Sequence, residues 1–89
     1  MLEQEIIIIN KLGLHARAAG KLVETTSRFS CDITIDKEGR NVDGKSIMAM
    51  MMLAASKGTN ITIKTNGEDE AAALEAITAL INNRFDEEE

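Results

Sequence analysis

Hydrophobic and polar positions along this chain alternate with periods that change from stretch to stretch. Residues 5–9 form a β-branched run and predict a buried strand. From residue 15 to about residue 27, Ala16, Ala19, Leu22, Val23 and Thr26 recur at helical spacing and predict a helix with one buried face. Cys31, Ile33 and Ile35 alternate with polar partners, which is strand spacing. Asp36-Lys37-Glu38-Gly39 then predicts a hairpin connection to a short strand at 40–42. Residues 46–55 predict a short apolar helix that ends near Lys57-Gly58. Ile61 and Ile63 mark another strand, and Asn66-Gly67 turns the chain into a last helix over about residues 69–83. That helix places Ala73, Leu74, Ile77, Leu80 and Ile81 on one side. The order is βαββαβα. It predicts an α+β domain, a four-stranded antiparallel sheet covered on one face by three helices. One domain spans residues 1–89 with no linker or repeat, and Asp86-Glu87-Glu88-Glu89 is expected to be a frayed, solvated acidic tail.

Composition narrows the chemistry. A hydrophobic content of 44% supports a real core in 89 residues. A formal net charge of −5, with two Phe and no Tyr or Trp, argues against nucleic-acid binding. The single Cys31 forms no internal disulfide, so a reducing compartment, the cytoplasm, is expected. Its predicted role is that of a small buried strand residue. The start MLEQEIIIIN carries no positive flank and no long apolar stretch, so neither a signal peptide nor membrane insertion is expected. One His and one Cys on different elements make no metal-ligand set.

The chemistry concentrates at His15, the only histidine, in Lys11-Leu12-Gly13-Leu14-His15-Ala16-Arg17-Ala18-Ala19. A turn glycine precedes it and an alanine-rich helical pattern follows. Ser, Thr, Asp or Asn would normally cap such a helix, and His is not among the preferred caps. A residue that breaks a local rule at an otherwise consistent site is a functional candidate. The first N–H groups of a helix lack internal partners and, with the macrodipole, form an anion site. The backbone of Ala16 and Arg17 supplies such donors, and the Arg17 guanidinium a second, charged clamp for a phosphoryl group. A neutral imidazole is nucleophilic without a further relay. Phosphate on its nitrogen is a high-energy, transferable group, so the site suits carriage better than hydrolysis.

Two further segments are ambiguous on their residues alone. Gly39-Arg40-Asn41-Val42-Asp43-Gly44-Lys45-Ser46 fits the nucleotide-binding pattern GxxxxGK[ST] letter for letter. A P-loop, however, leaves a strand of a parallel sheet, and no later apolar stretch ending in Asp offers a second magnesium ligand. The match is coincidental, and Ser46 reads as the N-cap of the following helix. Ile47 to Ala55 is apolar all round: Ile47, Met48, Met51 and Met52 occupy one arc, while Met50, Leu53 and Ala54 centre on another. Periodicity leaves open which arc meets the core.

LGLHARAAGKLVE, VDGKSIMAMMMLAASKGTNITI and NGEDEAAALEAITALI together span nearly the whole chain, roughly residues 3 to 85. They resemble the bacterial histidine-containing phosphocarrier family HPr, with LHAR and GKSIM at that family's spacing. The resemblance implies an open-faced sandwich fold and a cytoplasmic relay of the phosphoenolpyruvate phosphotransferase system. Enzyme I would phosphorylate His15 at Nδ1, and the phosphoryl group would pass to a IIA domain of the sugar or nitrogen branch. Arg17 matches the family's arginine. Ala18 stands where the family usually has Pro, which implies a small loss of rigidity and no loss of function. In some members the serine of GKSIM is phosphorylated by a dedicated HPr kinase/phosphorylase, which implies regulation at Ser46. The family places positions 47, 48 and 51 outward. Ile47, Met48, Met51 and Met52 are therefore expected to dock partners, beside Gly20, Lys21 and Lys45, with Arg17, Lys21 and Lys45 steering acidic surfaces. A monomer that needs no cofactor and turns over no substrate of its own is implied. The alternative from another class is a regulatory module whose phosphorylation state a target reads. An acidic ending after Arg84-Phe85 resembles the nitrogen-branch paralogue of the family.

Overall fold

Ile33 and Ile35 are buried while Thr34 between them is only half-buried, and around this alternating strand the molecule is assembled. A computed structural model describes residues 1–87. The strands are β1 (Leu2–Ile7), β2 (Asp32–Lys37), β3 (Arg40–Asp43) and β4 (Asn60–Asn66); the helices are α1 (Ala16–Thr26), α2 (Ile47–Met52) and α3 (Glu70–Asn82). All pairings are antiparallel in the order β1-β4-β2-β3, with Ile6 opposite Ile61 and Ile35 opposite Ile63. Helices cover one face, and the expected open-faced sandwich is the fold. Ile8, Leu22, Ile35, Met50, Leu53, Ile61, Ile63, Ile77, Ile81 and Phe85 fill the space between.

Several boundaries and faces differ from expectation. β1 is an edge strand, largely exposed rather than buried; it ends at Ile7, and Ile8 just beyond it is buried. Four isoleucines in succession carry no alternation, so their pattern could not mark which side is covered. On α1 the buried residues are Ala18, Ala19, Leu22, Thr25 and Thr26, whereas Ala16 is exposed and Val23 half-buried. The stripe is rotated because α1 packs against both α2 and α3. On α3, Ala73, Ile77 and Ile81 are buried, with Leu74 and Leu80 packed at the margin.

α2 stops well before Lys57-Gly58. Leu53 is its C-cap, and Ala54 takes a left-handed φ of 54°. The Lys37 ammonium donates to the carbonyls of Leu53 (3.2 Å) and Ala54 (3.3 Å), satisfying acceptors the helix leaves unpaired. Left-handed backbone is unfavourable for alanine and free for glycine. Ala54→Gly should therefore stabilise the fold by about 1 kcal/mol, read as a rise in the thermal midpoint.

Cys31 lies just ahead of β2, 3% exposed, and burial pushes its thiol up. The Asp69 carboxylate accepts from the N–H groups of Ser30 and Cys31, at 2.9 Å each, latching the start of α3 to the segment that leads into β2. The Ser30 N–H and then the Cys31 groups hold that carboxyl below the usual carboxylate range.

The C-terminal segment corrects the expectation of a frayed tail. Phe85 is fully buried, and Asp86 and Glu87 are engaged with α1 and with the loop before it. An aromatic ring among charged residues supplies the apolar area that a frayed end lacks. The rest of the expected tail, residues 88 and 89, lies outside the described residues.

Candidate functional site

The loop between β1 and α1 is built to place one side chain. The Gly13 N–H donates to the Asn10 carbonyl (3.2 Å), and Asn10 Nδ2 donates back to the Gly13 carbonyl (2.7 Å), closing a tight turn. Gly13 has φ 67°, and a Cβ there would lie 2.5 Å from the Ala55 carbonyl oxygen. The Leu14 N–H donates to that same oxygen at 2.8 Å, so the turn is pinned to the chain just after α2. His15 follows as the N-cap of α1, with extended backbone and a side chain that caps nothing. Its carbonyl accepts from the Ala19 N–H (2.8 Å), while the N–H groups of Ala16, Arg17 and Ala18 have no partner within the helix. Arg17 is exposed and makes no hydrogen bond or ion pair among the described residues. Its guanidinium is free to meet an anion at this helix start.

Two residues that sequence reasoning missed complete the site. Nε2 of His15 lies 2.6 Å from Oε2 of Glu87, and Oε1 of Glu87 accepts from Asn10 Nδ2 at 3.0 Å. Asn10 is fully buried and bonds both to the turn before His15 and to the carboxylate beside it, with its Oδ1 unpaired among the described residues. Partial burial would raise the Glu87 carboxyl, but hydrogen bonds from Asn10 and His15 and the charges of His15 and Arg17 outweigh it and hold the group below its ordinary range. An ionised carboxylate only accepts, so Nε2 presents a hydrogen to it, and in the neutral ring this leaves the lone pair on Nδ1.

The backbone that delivers Glu87 is unusual. Arg84, Phe85 and Asp86 have φ of 55°, 54° and 62°, three consecutive left-handed residues without a glycine. Such residues are disfavoured by about 1 kcal/mol or more each, and the strain persists only where the surroundings fix it. Phe85 in the core supplies that anchor. The turn is closed by the N–H of Asp86 on the Asn83 carbonyl (3.0 Å), the N–H of Glu87 on the Arg84 carbonyl (2.9 Å) and Asn83 Nδ2 on the Asp86 carboxylate (2.7 Å). Lys21 pairs with Asp86 at 3.6 Å, a partly exposed and therefore weak bridge. The signal in the sequence was Phe85 itself, a large apolar residue beyond the last helix.

The other expected residues fall as follows. Ser46 is the N-cap of α2, its Oγ accepting from the Ala49 N–H at 3.2 Å. Residues 40–43 of the GxxxxGK[ST] match are paired as β3, so no phosphate-cradling loop exists there. Ile47, Met48, Met51 and Met52 all face outward, from 44% to 70% exposed, while Met50 and Leu53 enter the core. Gly20 faces open space. Lys45 is half-buried and donates to the Phe29 carbonyl at 2.7 Å, and Lys21 is paired as above. Of the three expected steering cations, Arg17 alone is unengaged among the described residues. Leu12, 67% exposed in the turn before His15, is an outward apolar residue that periodicity did not mark. Among the described residues no three His, Cys, Asp or Glu side chains converge as metal ligands, and no helix is long and apolar enough to cross a membrane.

Known proteins are similar to this chain in both sequence and fold. Residues 2–83 match the PTS-HPr family, described as the PTS HPr component phosphorylation site. The phosphocarrier protein HPr of Pseudomonas aeruginosa is 59% identical over 86 residues, 96% of each chain. The phosphocarrier protein NPr of Shewanella violacea is 44% identical over 86 residues, 97% of this chain and 94% of that one. A crystal structure of HPr from Thermoanaerobacter tengcongensis superposes with a TM-score of 0.96 at 43% identity, covering 100% of both chains. Likeness that runs from β1 through α3, in sequence and in backbone alike, settles the ancestry: the chain belongs to the HPr family of phosphocarrier proteins of the phosphotransferase system.

Proposed function

We propose that this protein accepts a phosphoryl group from enzyme I on Nδ1 of His15 and passes it to a IIA domain. The observation that carries the reading is a lone histidine at a helix start with Nδ1 unpartnered among the described residues and an unengaged arginine two residues on. In the forward step the Nδ1 lone pair attacks phosphorus, the donor's P–N bond breaks, and the donor keeps that electron pair. The N–H groups of Ala16 and Arg17 and the Arg17 guanidinium suit the phosphoryl oxygens, through hydrogen bonds and charge. The reverse sequence at a IIA domain releases the group. The protein is itself the substrate of its partners, working as a cytoplasmic monomer without a cofactor. Incubation with phosphoenolpyruvate and enzyme I should add one acid-labile phosphate by intact mass. His15→Ala should add none; equal labelling of both would refute the assignment. A IIA domain of the sugar or nitrogen branch added afterwards should remove the label, and its persistence would favour a regulatory module that retains phosphate.

The outward arc of α2 suits docking of these partners. Met48, Met51 and Met52 are flexible and can repack against more than one surface. Ile47, Gly20 and the exposed Leu12 extend the apolar area, and Lys21 and Lys45 serve as rim contacts rather than free steering charges. A brief encounter suits a small interface, below about 1,200 Å². Ser46 at the start of this arc is the proposed regulatory site, phosphorylated where the host has an HPr kinase/phosphorylase. Phosphate there adds about −1.5 to −2 charges to the docking face. Ser46→Asp should slow transfer from enzyme I about tenfold, a barrier change of about 1.4 kcal/mol. An unchanged rate in a stopped-flow transfer assay would remove the regulatory reading.

A further inference from the structure

We infer that Glu87 is a positioning residue for phosphoryl transfer: its carboxylate fixes the hydrogen of His15 on Nε2, turns the Nδ1 lone pair toward the donor, and offsets the positive charge the ring acquires. The inference rests on the carrier reading above and adds a residue to it. Three observations converge. The Nε2 to Oε2 distance is 2.6 Å, within the range of a charge-assisted hydrogen bond. The other carboxylate oxygen is held at 3.0 Å by Asn10, a fully buried side chain that also shapes the turn leading into His15. The backbone ahead of Glu87 holds three left-handed residues in a row, kept there by a fully buried Phe85. A strained segment anchored on one side of a reactive group, with its next side chain bonded to that group, is placed rather than loose.

The electron count gives the carboxylate its task. When Nδ1 forms its bond to phosphorus, the neutral ring donates a pair and becomes formally cationic, while Nε2 keeps its hydrogen. A carboxylate on that hydrogen is worth more after attack than before it, so it lowers the barrier and not merely the energy of the resting protein. On delivery the P–N bond breaks, the pair returns to Nδ1 and the ring is neutral again. No proton has to leave Nε2 at any stage. A carboxylate orients the histidine of a Ser-His-Asp triad by the same physics, although no serine or general-base step is involved here.

The test uses the full-length protein, labelled with ¹⁵N, with Glu87→Ala and Glu87→Gln. At a pH where the ring is neutral, the wild-type His15 should show a hydrogen on Nε2, shifted far downfield and slow to exchange. That resonance should vanish in Glu87→Ala and move upfield in Glu87→Gln, with the backbone spectrum elsewhere unchanged. Phosphorylation by enzyme I should slow about tenfold in Glu87→Ala, which corresponds to about 1.4 kcal/mol of lost transition-state stabilisation. Glu87→Gln should lie close to it, because the amide accepts a hydrogen bond but carries no charge. Equal phosphorylation rates in wild type and Glu87→Ala would overturn the inference, as would a hydrogen found on Nδ1. Wild-type protein that takes no phosphate would instead overturn the carrier reading, and this inference with it, so the two failures are told apart by which protein fails.

Discussion

Phe85→Ala is expected to destabilise the domain by about 3–5 kcal/mol, the range for removing a fully buried phenylalanine. Phe85 is 0% exposed, and its ring is the largest side chain buried in this core. Truncation leaves a cavity that the surrounding core fills only in part. It also removes the anchor of a turn that holds three left-handed residues, so part of the loss appears as release of residues 84–87 rather than as global unfolding. A small domain has about 5–15 kcal/mol in all, so this one ring carries a large fraction of it. Urea denaturation should show the midpoint falling. A loss below about 1 kcal/mol would mean that the ring is not packed as described.

Gly13→Ala should be comparably severe, and it acts at the other wall of the site. A left-handed φ disfavours alanine by about 1–2 kcal/mol. The added Cβ would lie 2.5 Å from the Ala55 carbonyl oxygen and 2.7 Å from the Ser56 Cα, both backbone atoms without a flexible end to give way. Relief requires the turn to move off residues 55–56, which breaks the hydrogen bond from Leu14 to Ala55 and leaves a donor unpaired at about 1–3 kcal/mol. His15 sits one residue beyond that bond. The expected result is a total loss of about 3 kcal/mol in thermal or urea unfolding, with phosphorylation slowed in the fraction that stays folded. Wild-type stability in this variant would show that the turn has slack the geometry denies.

Much of this architecture was legible in the residues because local and global preferences agree. Ile33, Ile35, Ile61 and Ile63 alternate cleanly, and each is buried. His15 and Arg17 stood out because they interrupt an otherwise ordinary helix start. The limits were physical as well. A run of four isoleucines has no period, so the edge position of β1 was hidden. The apolar sequence of α2 circles the helix, and only the packed structure separates Met50 and Leu53 from the outward Met48, Met51 and Met52. Ala54 ends that helix in a conformation usually reserved for glycine, whereas the next glycine in the sequence is Gly58, so the residue pattern points past the true end. Asn10 and Glu87 were invisible for a different reason. They lie 77 residues apart, and no local pattern records that a strained C-terminal turn brings them to one ring.

The sheet order has a consequence in time. Only β2 and β3 are neighbours in both sequence and space; β1 pairs with β4, Leu2 opposite Thr65. During synthesis the N-terminal strand must wait for more than half the chain before it has a partner, which makes late, long-range closure the slow event in folding. His15 is made early, yet its Nε2 contact comes from Glu87, near the end of the chain. A ribosome-bound chain that has passed residue 80 holds the histidine, the arginine and the helix start but not the carboxylate. The ring at the start of the first helix therefore waits for its carboxylate until the segment beyond the last helix has been made, 72 residues downstream.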